Sequence, residues 1–278
     1  MQIYSIVFSD IDGTLLNSRG QVTPATRAAL SQLQKQGVPI VLCSARPPAG
    51  VRKVAALAGI RGPMICYSGS LALDEDGALL SQAGIPGELA LRFKAFAREG
   101  FPRVETSAYH LEDWLVDDPS TAYVSAETAA TNCVPILGKI EPESWVHKLL
   151  CIGPPEEISL LAERAAQAFP ELCFVQSAAT YLEVLLQGVS KATGAKGVLE
   201  QLGLPAQCSV AFGDYFADVP LLQYAGLGVA MGNAPKEVQQ AADRVTGTND
   251  EEGLCRMLKE LRFTAPSGKT PLPGLGSV

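Results

Sequence analysis

The chain is 278 residues long, 47% hydrophobic and 18% charged, with 22 basic against 29 acidic side chains and a net charge of −7. That length allows one large domain or two modest ones with a sizeable core, and the composition excludes a wholly disordered or fibrous chain. The acidic balance argues against a nucleic-acid binder, so an anionic ligand has to be held by a local positive site.

The first apolar run, Ile3 to Phe8, is short, rich in strand formers and bounded by polar residues. Near-continuous hydrophobicity of that length suits a parallel strand buried on both faces. Thr23-Pro24 opens a helix, with Thr as N-cap, Pro in the first turn and Gly37 past its end. A strand at Val38–Cys43, a helix from Pro47 to about Ala58 and a strand at Met64–Tyr67 follow. This alternation predicts a right-handed parallel α/β sheet.

The middle of the chain has a different rhythm. A helix at Glu88–Arg98 is followed by alternating strands near Phe101–Tyr109 and Leu111–Val116 and a helix near Ser120–Ala130. Then come a strand at Val146–Ile152, a helix at Pro155–Phe169, and strands at Leu172–Val175 and Tyr181–Leu186. Paired strands mixed with helices predict an α+β unit with an antiparallel sheet. From Ser190 the α/β rhythm returns with a helix, a strand at Ser209–Phe212, a helix from Asp218, a strand at Gly228–Met231, a helix from Pro235 and a short strand at Arg244–Thr246. Asn249 and Glu252 have capping-box spacing for a last helix. The simplest organisation is one α/β core interrupted by an inserted α+β domain. The Gly-, Pro- and Ser-rich tail over 265–278 is expected to be disordered.

Seven cysteines at 43, 66, 133, 151, 173, 208 and 255 include no C-x-x-C pair. They are expected as buried small hydrophobes in a reducing compartment rather than as a disulfide framework or zinc site. The start, MQIYSIVFSD, lacks a signal-peptide pattern, and no apolar run reaches the roughly 18 residues a membrane span needs. A cytoplasmic location is the expectation. The only histidines, His110 and His147, fall in the inserted region and are expected to be structural. The glycines of Gly226–Gly232 lack dinucleotide-binding spacing, and there is no Walker motif.

In open parallel sheets ligands gather outside the carboxyl ends of the strands. Ser9-Asp10-Ile11-Asp12-Gly13-Thr14 follows the first predicted strand, Ser44-Ala45-Arg46 the second, and Gly213-Asp214-Tyr215-Phe216-Ala217-Asp218 the strand at 209–212; Gly188-Val189-Ser190-Lys191 opens the second half of the core. One edge then collects four acids, a hydroxyl and a lysine. Asp10, Asp214 and Asp218 would repel one another unless something positive sits among them, and an oxygen-seeking hard cation such as Mg²⁺ is the natural candidate. Together with Lys191 it makes a pocket that wants a phosphoryl group, which a carboxylate can attack. Asp10 and Asp12 lie two apart, so one can be nucleophile and the other acid and then base. Ser44 can offer its hydroxyl to a phosphate oxygen.

Each residue also has a blander reading. Asp10 and Asp12 could form a turn, Asp214 could cap a helix, Lys191 could be solvated with Lys196 as its rival, and Ser44 could cap the next helix. Arg46 is either a substrate contact or a surface charge, and Asn233 either an N-cap or a support of the site.

Taken together, FSDIDGTLL, SAR, GVSK and GDYFAD, in that order, resemble the four motifs of the haloacid dehalogenase-like superfamily. The run VAMGNAPKEVQQAADRVTGTNDEEG and the large insertion resemble its Cof-like phosphatases, over nearly the whole chain to about residue 262. The resemblance implies an α/β fold: a Rossmann-like parallel-sheet core over 1–83 and 188–264, with an α+β cap that selects substrate over 84–187. It implies Mg²⁺-dependent hydrolysis of small phosphorylated metabolites, sugar phosphates first, through an aspartyl phosphate. Asp10 would be the nucleophile, Asp12 the acid/base, Ser44 and Lys191 the phosphate contacts. Asp10, the carbonyl of Asp12, Asp214 and Asp218 would surround the metal, Asp218 as ligand or as support. Nothing in the resemblance calls for nucleic acid or membrane as partner, and it fits monomer or dimer. The family often has Asn within G-D-x-x-x-D and Asn-Gly-Ala after the third strand; here stand Tyr215, Ala217 and Ser68-Gly69-Ser70. Phosphotransfer to a second hydroxyl, as in a mutase, and a weak phosphate-binding regulatory module are the alternatives.

Overall fold

The structure, a computed structural model, describes residues 2–131 and 133–266. They form two compact units: Ala83–Val189, and the chain up to Gln82 joined with the chain from Ser190 on. From residue 267 the expected disordered tail lies outside the described residues.

The first unit is built on an eight-stranded sheet. Its order is Arg244–Val245, Leu227–Ala230, Ser209–Gly213, Ile6–Asp10, Ile40–Cys43, Met64–Cys66, Leu71–Leu73, Leu79–Gln82. The first six strands are parallel, and the last two add an antiparallel hairpin. All five residues of Ile6–Asp10 are buried. Successive side chains of a strand face opposite ways, so this strand is covered on both faces, which is why its sequence runs apolar without alternation. From it the chain steps to Ile40–Cys43 on one side, and in its second half to Ser209–Gly213 on the other. That reversal of strand order opens a crevice at the carboxyl end of Ile6–Asp10.

The expected strand Ile3–Phe8 is divided. Ile3–Tyr4 pairs with Arg262–Phe263, and only Ile6–Asp10 enters the main sheet, with Ser5 N–H donating to the Cys208 carbonyl between them. The strand also continues past the apolar run into Ser9 and Asp10, because its neighbours bury both. The Pro24–Lys35 helix begins as its sequence predicts: Thr23 Oγ1 accepts from Thr26 N–H. At its end Gly37 takes φ +77° and Val38 N–H returns to the Leu33 carbonyl. The last helix departs from expectation. The box is Thr248 with Glu251, closing a short turn over Asn249–Glu251; Glu252 then adopts φ +62°, and the helix proper is Gly253–Glu260. The Leu71–Leu73 and Leu79–Gln82 hairpin was not anticipated. Its signal was D-E-D-G, where Asp74 Oδ1 accepts from Asp76 and Ala78 N–H.

The second unit is a six-stranded sheet in the order Pro135–Leu137, Asp113–Val116, Glu105–His110, Lys148–Ile152, Tyr181–Leu186, Leu172–Ala178. All pairs are antiparallel except Pro135–Leu137 with Asp113–Val116. Phe93 and Ala97 of the Gly87–Gly100 helix and Ile158, Leu161 and Ala165 of the Pro155–Ala168 helix share one core with Ala108, Leu149 and Cys151 of the sheet. His147 is fully buried and its Nδ1 accepts from Leu111 N–H, holding the Glu105–His110 to Asp113–Val116 turn. An α/β core carrying an α+β insertion is therefore the fold. None of the seven cysteines is in a disulfide; Cys43, Cys66, Cys151 and Cys255 are buried, and the other three are half-exposed. No helix among the described residues is long and apolar enough to cross a membrane.

Candidate active site

Two strand ends and one helix start meet at the crevice. Asp10 ends its strand, Asp214 and Asp218 follow Ser209–Gly213, and Lys191 is the first residue of the Lys191–Leu202 helix. Carboxylate oxygens of Asp10, Asp214 and Asp218 lie within 4.8 Å of one another. Lys191 Nζ donates to Asp10 Oδ1 and Asp218 Oδ1, each at 2.5 Å, and all three side chains are buried. A helix N-terminus disfavours a lysine, and these two carboxylates outweigh that field. Lys196 is exposed and pairs with Glu200, at 3.9 Å.

Two glycines make the approach possible. Gly13 has φ +87°, and a Cβ there would lie 2.2 Å from Asp214 Oδ2; a Cβ on Gly213 would lie 2.3 Å from that of Asp218. Asp214 is steadied by Thr14 Oγ1 donating to Oδ1 at 3.2 Å and by Asn233 Nδ2 donating to Oδ2 at 3.2 Å. Asn233 also donates to the Gly13 carbonyl at 2.9 Å and accepts from Asn249 N–H, so it ties Asp214 to the turn after Asp10. Asp218 is fully engaged: Oδ1 by Lys191, Oδ2 by the N–H groups of Asp214 and Tyr215, both at 3.0 Å. Tyr215 itself is exposed and packs edge-on against Phe216.

Asp12 does not join the cluster. Its carboxylate is exposed and bound in two-point fashion by Arg46, Nη2 to Oδ1 at 2.6 Å and Nε to Oδ2 at 2.9 Å. The D-x-D pair does not continue as one strand, because the strand ends at Asp10 and a turn begins at Ile11. Ser44 is buried; its Oγ accepts from Arg46 N–H at 3.2 Å and does not cap the Pro48–Ala58 helix, whose N-cap is Pro47. Thr14 carried no expectation. Its only signal was its place immediately after D-x-D-G.

Burial pushes the Asp10 carboxyl up to about 7; Lys191 opposes this, and the Asp218 and Asp214 charges add to it. Burial, then Asp218, pushes Asp214 up to about 6. Burial works against the Lys191 ammonium, but Asp10 and Asp218 prevail and hold it above the usual lysine range. Burial also raises the Cys43 thiol, so the sulfur beside Asp10 is no rival nucleophile. The residues fit a hard divalent cation. Three converging carboxylates face one buried ammonium, the donors are all oxygen, and Asp10 Oδ2 is buried with no hydrogen-bond partner.

Comparison with known proteins places the chain in a family. A sequence profile for haloacid dehalogenase-like hydrolases matches residues 7–258. A Haemophilus influenzae protein named "Putative phosphatase" is 32% identical over 263 residues, covering 93% of this chain and 98% of that one. The HMP-PP phosphatase of Yersinia enterocolitica is 27% identical over 265 residues, covering 92% and 95%. A haloacid dehalogenase-like hydrolase from Bacteroides thetaiotaomicron superposes with a TM-score of 0.81 at 26% identity, covering 92% of this chain and 99% of that one. The chain belongs to the haloacid dehalogenase-like hydrolases, in their Cof-like branch, and is a phosphatase.

Proposed function

We propose that the protein hydrolyses phosphate monoesters of small metabolites, sugar phosphates first, with Asp10 as nucleophile and Mg²⁺ as cofactor. The observation that carries this is the state of Asp10. Lys191 fixes Oδ1, while Oδ2 is buried without a partner beside two further carboxylates. An oxygen of Asp10 attacks phosphorus, the bond to the ester oxygen breaks, and Asp12 gives that oxygen its proton, leaving an aspartyl phosphate and an alcohol. Water then gives a proton to Asp12 and attacks phosphorus, the Asp10–phosphorus bond breaks, and phosphate leaves. Ser44 and Lys191 hold phosphoryl oxygens, and Arg46 orients Asp12 between the two steps. Asp10, Asp214 and the Asp12 carbonyl would hold the cation, which when bound neutralises charge on the phosphoryl group. Asp218, with both oxygens engaged, supports Lys191 and the 214–215 backbone.

The test is turnover of p-nitrophenyl phosphate with Mg²⁺. We expect Asp10→Asn to lower kcat at least a thousandfold with an unchanged circular dichroism spectrum, and chelation of divalent ions to stop the parent. Full activity in Asp10→Asn would remove Asp10 as nucleophile. In ¹⁸O-labelled water the released phosphate should carry label; transfer of unlabelled phosphoryl to an added sugar would favour a mutase. A screen of phosphorylated metabolites would then rank substrates.

A further inference from the structure

After the Met64–Cys66 strand the chain takes three successive residues with positive φ: Tyr67 at 49°, Ser68 at 55° and Gly69 at 112°. Tyr67 and Ser68 are two of the four non-glycine residues with positive φ among the described residues. L-residues avoid this region, and strain of this kind persists only where the surroundings impose it. Here they do, on two sides. Ser68 N–H donates to the Ser44 carbonyl at 2.9 Å and Tyr67 N–H to the Arg46 carbonyl at 3.2 Å, so the turn fixes the backbone of Ser44–Arg46. On the other side Gly69 presses its bare Cα on the start of the lysine-bearing helix. A Cβ there would lie 1.8 Å from the Ser190 carbonyl oxygen and 3.0 Å from Lys191 N. One turn further along that helix, a Cβ on Gly194 would lie 2.6 Å from Ile65 Cγ2 and 3.4 Å from Gly69 Cα.

We propose that the Tyr67–Gly69 turn is a positioning element that sets the spacing between Ser44 and Lys191, the two groups that grip the phosphoryl oxygens. The inference rests on the reading of Ser44 and Lys191 given above. The left-handed backbone aims two N–H groups at the Ser44 segment while it turns a side-chain-free carbon toward Ser190. No sequence of ordinary φ does both. Any Cβ at position 69 must push the helix start away, carrying Lys191 with it, and a displacement on the order of 1 Å in such a site can lower the rate about a hundredfold.

The experiment uses the full chain with Mg²⁺, well below the melting temperature of every variant. It reads kcat and KM for p-nitrophenyl phosphate and the rise in Tm caused by inorganic phosphate. For Gly69→Ala we expect kcat to fall about a hundredfold, and the phosphate-induced rise in Tm to vanish, with a native circular dichroism spectrum. Gly194→Ala presses on the same contact from the helix side, where alanine favours the helical state. It should move both readouts in the same direction but less. A role in stability alone would lower Tm and leave kcat and the phosphate response intact. Either variant, folded, with both readouts within twofold of the parent overturns the proposal. Failure of both variants to fold also overturns it, by making the contact one of core packing. Activity that survives Asp10→Asn would refute the reading of the site; activity lost there but kept in both glycine variants would refute only the positioning role.

Discussion

Lys191 carries the electrostatics of the crevice. Its ammonium is buried among three buried or half-buried carboxylates and donates short bonds to two of them, Asp10 and Asp218. Asp10 shows what remains. Its carboxyl, near 3.8 when unperturbed, is raised to about 7 by burial and by its acidic neighbours. Between those values the folded chain holds a proton that the unfolded chain has released, so this group's contribution to stability is full below pH 4 and is lost as pH rises toward 7. In divalent-free buffer the urea midpoint of Asp10→Asn should therefore gain on the parent as pH goes from 4 to 7, by an amount on the order of a few kcal/mol in stability. An equal gap at both ends of that window would contradict the raised value.

Single elements show where local chemistry suffices and where it does not. The Pro24–Lys35 helix carries its own start signal, and Thr23 does more than cap. Besides accepting from Thr26 N–H it donates to Glu252 Oε2 at 2.7 Å, and Thr26 Oγ1 donates to the same oxygen at 2.9 Å. Thr23→Ala should lower unfolding stability by about 1–2 kcal/mol, visible as a shift in denaturant midpoint without loss of phosphatase activity. A cap of no consequence would leave the midpoint unmoved. The contact with Glu252 also bears on the misjudged last helix. Glu252 sits at φ +62° with its carboxylate on the first helix, so the expected box of Asn249 with Glu252 has lost its acid to a partner 229 residues away. The two acids of the D-x-D run are likewise separated by what surrounds them. The strand ends at Asp10, and Arg46 takes the Asp12 carboxylate.

For the molecule as a whole, the crevice joins segments that are far apart in sequence. Asp10, Lys191 and Asp214 come from both halves of a unit that the Ala83–Val189 insertion interrupts. A cation held by Asp10 and Asp214, as proposed above, would be gripped only by the folded chain and so would stabilise by mass action, about 2.7 kcal/mol at a hundred times its dissociation constant. Mg²⁺ should thus raise Tm in a concentration-dependent way, and Asp214→Asn should remove most of that rise. A rise undiminished in Asp214→Asn would place the cation elsewhere.

The alternation of strands and helices, the interruption by an α+β insertion, and the residues gathered at the strand ends and at one helix start, Asp10, Asp12, Ser44, Lys191, Asp214 and Asp218, can all be read along the chain. These were legible because periodicity, caps and glycine positions are local properties of the chain. Packing in three dimensions was needed to show that Lys191, not Lys196, meets Asp10, that Asp218 is consumed by hydrogen bonds, that Arg46 holds Asp12, and that Thr14 and Asn233 brace Asp214. Each of those outcomes depends on the direction and burial of a side chain set by residues up to two hundred positions away, and no local pattern encodes a direction fixed by distant packing.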